Sequence, residues 1–457
     1  MLFRETDMAM NLLLSGPKRL LGRRFAREVM TLQIGSFATL GLQFVTSVVI
    51  TNILNAGPLG QYYLAGNVLN WVTTFVNLAV GQALITRLAA AHAQRDREEC
   101  LRLLAYYLKT GIAVALLESA LGLVLAEQLG VLVVGNAAIG DLARVLFVTP
   151  PFLMFYNMGV LALQSSRQIT RLTLLENGAL MGTSLLNVAV VGLGGGLTGL
   201  LYSVAFAQVC TAIAALLLYR ATLPRMQVYP SLGEIVRAAP GVPLRRYFAF
   251  SALVSIDKNF ANFLALAPTT LLGRVGNPAQ VAYFRVAFNL MNFLSIPLSP
   301  ISRNLYAKLA EVAARANPRE LGMTLLKVSL GAGAISVVSS GALVAASPLI
   351  LKIYRPEFGP SQAVIYVLGI RFALLGFGVG LGPIYQVLHE MKLAIVTKVV
   401  PAAIMFGAGS VLVGSFGAVG AAMTLVSAYA VGDITNAVLV PFIVRRAARR
   451  KLVTGEG

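Results

Sequence analysis

The sequence predicts an all-α polytopic membrane protein of twelve transmembrane helices, in two pseudo-symmetric six-helix lobes around a central cavity. The first observation is composition: 57% of the 457 residues are hydrophobic and 12% are charged, whereas a soluble domain carries about 25% charged residues. The second is a series of twelve apolar runs near the roughly 20 residues that cross a bilayer. The third is an uneven distribution of Lys and Arg between successive loops. Together they exclude a soluble multidomain enzyme.

The apolar runs lack the strict alternation of barrel strands and are too long for them, so each predicts a helix. The first six runs are residues 31–54, 62–85, 103–125, 142–165, 172–193 and 200–219. The second six are residues 247–272, 281–301, 321–345, 364–388, 393–413 and 418–444.

The cations assign an orientation to these spans. The tails and alternate loops hold 27 of the 37 Lys and Arg, the opposite loops hold three, and seven lie within the spans. This bias follows the positive-inside rule and predicts cytoplasmic termini in a multi-pass membrane protein. A nucleic-acid partner is not expected. The predicted organisation is a basic N-terminal tail (1–29), an N-lobe (30–219), a cytoplasmic inter-lobe loop (220–246), a C-lobe (247–444) and a basic C-terminal tail (445–457).

A shift of 221 residues aligns the two halves. It places the aromatic pair Tyr62-Tyr63 on Tyr283-Phe284, and Arg87-Leu88-Ala89 on Lys308-Leu309-Ala310. Six spans per half give both halves the same orientation. This is a parallel repeat, which transporters use to form a site between the halves.

Polar side chains recur at helical spacing on the repeat-related spans 1, 2, 7 and 8. Such stripes face protein or water rather than lipid. They favour a hydrated central cavity, with hydrogen bonding between helices as the alternative. The candidate lining residues are Gln43, Asn67, Asn70, Asn77, Ser255, Asn262, Asn289 and Asn292.

Ionisable groups within the spans are costly and therefore candidates for function. Lys258, Arg285 and Arg371 are the candidate substrate-binding cations, because a positive cavity favours a phosphate-bearing or acidic-sugar ligand. The candidate ion-coupling carboxylates are Glu118, Asp257 and Asp433. Arg144 lies near the outer interface, where it can pair with Asp141.

The sequence lacks the motifs of nucleotide hydrolysis and of metal binding. No G-x-x-x-x-G-K-[ST] phosphate loop occurs, and the two histidines, His92 and His389, do not form a metal-ligand spacing. We therefore expect no enzymatic activity, no cofactor and no metal site. Transport is the leading class.

Several segments resemble one family. Residues 55–63 (NAGPLGQYY), followed by a span and 84–88 (LITRL), resemble the opening hairpin of polysaccharide flippases of the multidrug/oligosaccharidyl-lipid/polysaccharide exporter superfamily. The pattern returns at 256–258 (IDK), 283–284 (YF) and 305–309 (LYAKL), and 353–358 (IYRPEF) resembles the outer segment before span 10. The resemblance implies a V-shaped, cation-lined cavity bordered by spans 1, 2, 7 and 8.

The resemblance also implies a function. Such proteins move a polyprenyl-pyrophosphate-linked oligosaccharide across the bacterial inner membrane by alternating access, for lipopolysaccharide or exopolysaccharide export. The implied partners are this substrate, membrane lipids, and polysaccharide polymerase and assembly proteins. Span 1 lacks the arginines of the related peptidoglycan-precursor flippases, which makes their substrate less expected. The alternative is a cation-coupled multidrug exporter of the same superfamily, which would need the carboxylates to carry H⁺ or Na⁺.

Overall fold

The computed structural model describes residues 23–76, 80–243, 245–295, 318–388 and 390–454, with four single positions between 296 and 317. Within these ranges the chain is helical and contains no strand. The helices are α1 (Arg23–Ile53), α2 (Ala56–Val76), α3 (Val80–Ala93), α4 (Arg97–Val124), α5 (Ala126–Val134), α6 (Ala137–Leu146), α7 (Pro150–Ser165), α8 (Ile169–Gly192), α9 (Gly196–Met226), α10 (Leu232–Ala238), α11 (Arg245–Val275), α12 (Pro278–Asn292), α13 (Pro318–Leu351), α14 (Ser361–Leu375), α15 (Leu381–Val387) and α16 (Met391–Thr454).

The prediction of an all-helical membrane protein is confirmed. In the described part of the chain, six helices are long and apolar enough to cross a membrane, or up to seven if a bent helix pair counts as one span. That pair is α6 and α7, which meet at 47° where Pro150 and Pro151 begin the second helix. Proline is favoured in the first helical turn, where its missing N–H has no partner to lose.

The long helix α16 contains a break that the hydropathy pattern does not specify. Gly417 lies at φ 53° and ψ −127°, so residues 391–416 and 418–454 form two helices that meet at this residue. A positive φ suits glycine, because other residues incur a steric penalty there. The Gln280 side chain accepts a hydrogen bond from the Ala418 backbone N–H at 2.9 Å and so ties the break to α12.

The predicted inter-lobe loop packs against the first half of the chain. Lys109 Nζ of α4 donates to the carbonyl oxygens of Pro240 and Val242, at 2.9 and 3.0 Å. The hydroxyl of Tyr219 on α9 donates to the Pro230 carbonyl at 2.6 Å. Apolar side chains of residues 228–242 complete a buried cluster with α4, α7 and α9. We call residues 228–242 the covering segment.

A capped helix fixes the covering segment in place. The Ser231 backbone N–H donates to Glu234 at 2.6 Å, and Arg97 pairs with the same carboxylate at 2.8 Å. These hydrogen bonds, first that from the Ser231 backbone, hold the pKa of Glu234 below its usual range. The carboxylate therefore stays ionised and keeps its bond to Arg97 at neutral pH.

The two sequence halves meet along α2, which packs against α11 and α12. Gly60 makes the approach to α12 close: a Cβ at this position would lie 1.7 Å from the Pro278 carbonyl oxygen. The end of α1 and the start of α2 also contact the segment before α14. The Glu357 carboxylate accepts from the Ala56 N–H at 2.6 Å, and Asn52 donates to the Ile353 carbonyl at 2.9 Å. The halves are thus in direct contact at this end of the molecule.

Candidate functional site

A polar cavity of about 270 Å³ lies between α1 of the first half and α12 of the second. Five of its lining side chains carry amide or hydroxyl groups that can hydrogen-bond to a ligand, and the other three are apolar. The lining residues are Leu40, Gln43, Ser47, Asn289, Leu290, Asn292, Phe293 and Tyr354. Three of the predicted lining residues, Gln43, Asn289 and Asn292, are therefore brought together here. We call this the amide pocket.

Helical geometry explains the composition of the amide pocket. Gln43 and Ser47 are four residues apart on α1 and share a face. On α12, the Asn277 side chain caps the helix by accepting from the Gln280 N–H at 3.1 Å. From this fixed start, Arg285, Asn289 and Asn292 follow at spacings of four and three residues. They present one face of α12 to the first half.

Arg285 lies on α12 one helical turn from Asn289. Its Cζ is 5.3 Å from the ring centroid of Tyr63 on α2, a cation–π distance. The Tyr63 hydroxyl in turn accepts from Asn289 Nδ2 at 3.2 Å. Arg285 Nε is buried without a hydrogen-bond partner, and no ion pair joins the guanidinium to a carboxylate among the side chains that the structure describes. Among the described side chains, its charge therefore faces an aromatic ring and no acid.

Arg371, the third predicted cation, belongs to a different cluster. Its Nη1 lies 3.8 Å from Asp433 Oδ2 of α16, and its Cζ lies 4.2 Å from the Tyr429 ring centroid. Arg371 is not among the residues that line the amide pocket. Asp433 also lines a cavity of about 160 Å³ together with Lys398. Two predicted site residues thus meet each other, away from α1.

The remaining predicted residues divide by burial. Asn67 is fully buried, and its Nδ2 donates to Thr270 Oγ1 at 2.8 Å, so it joins α2 to α11. Asn70 and Asn262 are exposed, whereas Ser255 is buried. Glu118 is buried on α4, with 5% of its surface exposed. Asn77 lies outside the described residues, and the side chains of Asp257 and Lys258 on α11 are also outside them.

Sequence reasoning missed the partner of Asn67. The Thr270 hydroxyl accepts from both Asn67 and Trp71 Nε1, the latter at 2.6 Å, and donates to the Leu266 carbonyl. Trp71 is the only tryptophan in the chain and packs edge-on against Phe263, with ring centroids 4.8 Å apart. A threonine in an apolar helix gives no signal of such a role. The only available signal was that the single tryptophan, Trp71, lies beside Asn67 and Asn70 in the sequence.

We expect Thr270→Val to weaken the contact between α2 and α11, because it leaves two buried donors without an acceptor. Hydrogen bonds between membrane helices contribute about 0.6 kcal/mol on average and about 1.7 at most, so two should give about 1–2 kcal/mol. A lower melting temperature of the purified protein would measure this. Thr110→Val is the matched control, since the Thr110 hydroxyl bonds only within its own helix. Equal effects of the two substitutions would contradict the assigned role.

Several solved structures of transporters have a fold similar to that of this chain. A structure titled as the inward-facing conformation of a multidrug resistance MATE family transporter of the MOP superfamily is 15% identical, covers 90% of this chain and 95% of its own, and gives a TM-score of 0.70. Lipid II flippase MurJ, in an inward closed conformation, is 12% identical, with coverages of 93% and 91% and a TM-score of 0.69. A MOP superfamily transporter from Pyrococcus furiosus, described as having reversed polarity of its binding pocket, is 15% identical, with coverages of 92% and 95% and a TM-score of 0.58. The fold is that of the MOP superfamily transporters.

The sequence then gives the family. Residues 25–306 match the family described as polysaccharide biosynthesis protein, which is more than half of the chain. The chain belongs to this family. No curated protein matches this chain.

Proposed function

We propose that the protein flips a polyprenyl-pyrophosphate-linked oligosaccharide across the bacterial inner membrane by alternating access. Twelve spans would form two six-helix lobes with both termini in the cytoplasm. The observation that carries the proposal is Arg285, a cation without a described carboxylate partner, one turn from an amide-lined pocket between the sequence halves. Membership in the polysaccharide biosynthesis family supports the same reading.

The chemistry of the site suits a glycolipid phosphate. Amide groups such as those of Gln43, Asn289 and Asn292 both donate and accept, and so match the hydroxyls of a sugar. Arginine can bind a phosphate through two parallel N–H bonds, and a low-dielectric surrounding strengthens them. We infer that sugar residues contact the amide pocket while the pyrophosphate approaches Arg285. The polymerase and assembly proteins would then use the glycan on the far side.

The proposal is tested by deleting the gene in its own bacterium. We expect surface polysaccharide to disappear and the lipid-linked oligosaccharide to accumulate, with both reversed by a plasmid copy. A multidrug exporter would instead leave the polysaccharide intact and change susceptibility to organic cations and dyes. Unchanged polysaccharide in the deletion strain would therefore refute the proposal, whatever the drug panel shows.

Lys258 is proposed to act with Arg285. It lies in the middle of α11, a repeat-related helix, where an ionisable group is costly unless it has a partner or a task. We expect Lys258→Ala to lower polysaccharide export severalfold with no loss of folded protein. Quantitative blotting of the glycan, normalised to membrane protein level, measures this. Lys258→Arg should restore part of the export, and wild-type export by Lys258→Ala would remove the residue from the site.

A further inference from the structure

Residues 353–358 (IYRPEF), which connect α13 to α14, lie against the first half of the chain. Four of these six residues are exposed, whereas Tyr354 and Phe358 are buried. In the proposed orientation α13 runs toward the outside and α14 returns, so the segment between them lies at the outer surface. The end of α1 and the start of α2, which it contacts, lie at the same surface. We call residues 353–358 the outer gate.

Among the described residues, three polar contacts join the outer gate to the first half. Ile353 and Glu357 accept the bonds from the ends of α1 and α2, at 2.9 and 2.6 Å. The Arg355 guanidinium donates to the side-chain oxygen of Asn55, which lies between these two helices. All three contacts are at least partly exposed. Since water can replace either partner there, the contacts can break and form again.

Aromatic side chains connect the outer gate with the amide pocket. Tyr354 packs edge-on against Phe44 of α1, with ring centroids 6.3 Å apart, and Phe44 packs against Phe293 at 6.5 Å. Phe358 packs against Tyr283 of α12 at 6.1 Å. Tyr354 and Phe293 are both lining residues of the amide pocket. The outer gate therefore contacts both α1 and α12, and one of its side chains forms part of the pocket wall.

Positions along α1 show how close the amide pocket is to the outer gate. Ser47 lines the pocket, and Asn52, which bonds to the gate, follows five residues later. At 1.5 Å per residue this separation is about 8 Å along the helix axis. Tyr354 spans part of it, because its backbone belongs to the gate while its hydroxyl lies beside Ser47. Tyr354 is thus the outer wall of the amide pocket.

We propose that the outer gate closes the amide pocket toward the outside and that Tyr354 is the gate residue that contacts the sugar. The assignment rests on the proposed function and adds a residue to its site. A tyrosine offers a sugar both an aromatic surface and a hydroxyl that donates and accepts. A ligand shifts a conformational equilibrium only through contacts that differ between the two states. Tyr354 supplies such a contact, because it moves with the gate.

Access to a cysteine in the amide pocket tests the closure. Ser47→Cys is placed in the full-length protein together with Cys210→Ala, which removes the exposed native thiol, and a membrane-impermeant maleimide is added to spheroplasts. We expect slow labelling, and labelling severalfold faster after Tyr354→Ala removes the wall. Lys352→Ala is the matched control, since Lys352 is exposed beside the gate and has no polar partner among the described residues. Equal labelling of these two variants would overturn the closure.

Tyr354→Phe separates closure from sugar contact. It keeps the ring that packs against Phe44 and loses the hydroxyl. We therefore expect labelling of Ser47→Cys to stay slow while polysaccharide export in the complemented deletion strain falls severalfold. Wild-type export by Tyr354→Phe would overturn the sugar contact. Cys100, which has no exposed surface, is the folding control and should remain unlabelled in the detergent-solubilised variants.

A cross-link tests the closure without removing the wall. Asn55→Cys and Arg355→Cys, joined by a short bifunctional thiol reagent, hold the outer gate shut. Export should stop when both cysteines are present and joined, and it should continue with either cysteine alone. Continued export by the cross-linked protein would overturn the assignment. Failure of the proposed function is a separate result, because polysaccharide would then be unchanged in the deletion strain while the labelling test still reports whether the gate closes the pocket.

Discussion

Replacing Arg285 by alanine is expected to lower polysaccharide export by about tenfold or more while the protein remains folded. Hydrogen bonds to charged groups contribute about 1.5–3 kcal/mol, and each 1.4 kcal/mol corresponds to a factor of ten. The guanidinium is held over the Tyr63 ring and has no carboxylate partner among the described side chains, so its loss leaves none of those acids unpaired. The effect on export should therefore exceed the effect on stability. Pulse-labelling of surface glycan in the complemented deletion strain gives the rate.

Two further variants separate charge from shape. Arg285→Lys keeps the charge but loses the planar, bidentate donor, so it should be intermediate. Arg144→Ala removes a cation elsewhere, one that pairs at the surface with Asp141 at 3.1 Å and Glu127 at 3.3 Å. Its export should equal that of the wild type. If Arg144→Ala and Arg285→Ala reduced export alike, general charge and not phosphate binding would be the cause.

Hydropathy alone predicted where the helices lie. Within the described residues, each apolar run falls on one helix or on consecutive helices, because the bilayer demands both an apolar surface and satisfied backbone groups. The breaks within the apolar runs were harder to predict from the sequence. Pro150-Pro151 marks the bend before α7, but no local pattern encodes the hydrogen bond from Ala418 to Gln280 that accompanies the positive φ of Gly417. The number of crossings and the two-lobe organisation remain predictions.

The sequence predicted which polar residues share a helix face, but not which residues that face contacts. Spacing of three and four residues grouped Asn289 with Asn292, which line the same cavity, because helical periodicity alone sets which residues share a face. Periodicity does not specify which part of the protein that face contacts. Asn67 follows the same spacing but bonds to Thr270, and Arg371 pairs with Asp433. Only the packing of one helix against another decides between a cavity wall and a helix contact.

The contact between Gly60 and Pro278 leads to the second large prediction, that Gly60→Leu will strongly lower transport. A Cβ at residue 60 would lie 1.7 Å from the Pro278 carbonyl oxygen, so α2 and α12 must separate by about 2 Å to reach ordinary contact. The obstacle is backbone and cannot rotate away. The described conformation has the halves in contact at this end. The substitution would disfavour this conformation by about 1–3 kcal/mol or more, the usual cost of overpacking. The proposed alternating access requires both conformations, and each 1.4 kcal/mol is a factor of ten, so transport should fall by about fivefold or more.

Gly57→Leu is the control, since Gly57 is on the same helix and has no atom within 4 Å of its Cβ position. Trp71, the only tryptophan, lies on α2 and is 7% exposed at the contact with α11, so its emission reports a movement of α2 away from the second half. We expect red-shifted emission for Gly60→Leu, a smaller shift for Gly60→Ala and none for Gly57→Leu. A monodisperse elution profile excludes simple misfolding. Identical emission and transport for both leucine variants would mean that closure at Gly60 is not part of the transport cycle. A graded response would instead establish that the contact between α2 and α12 is one the protein must form and release.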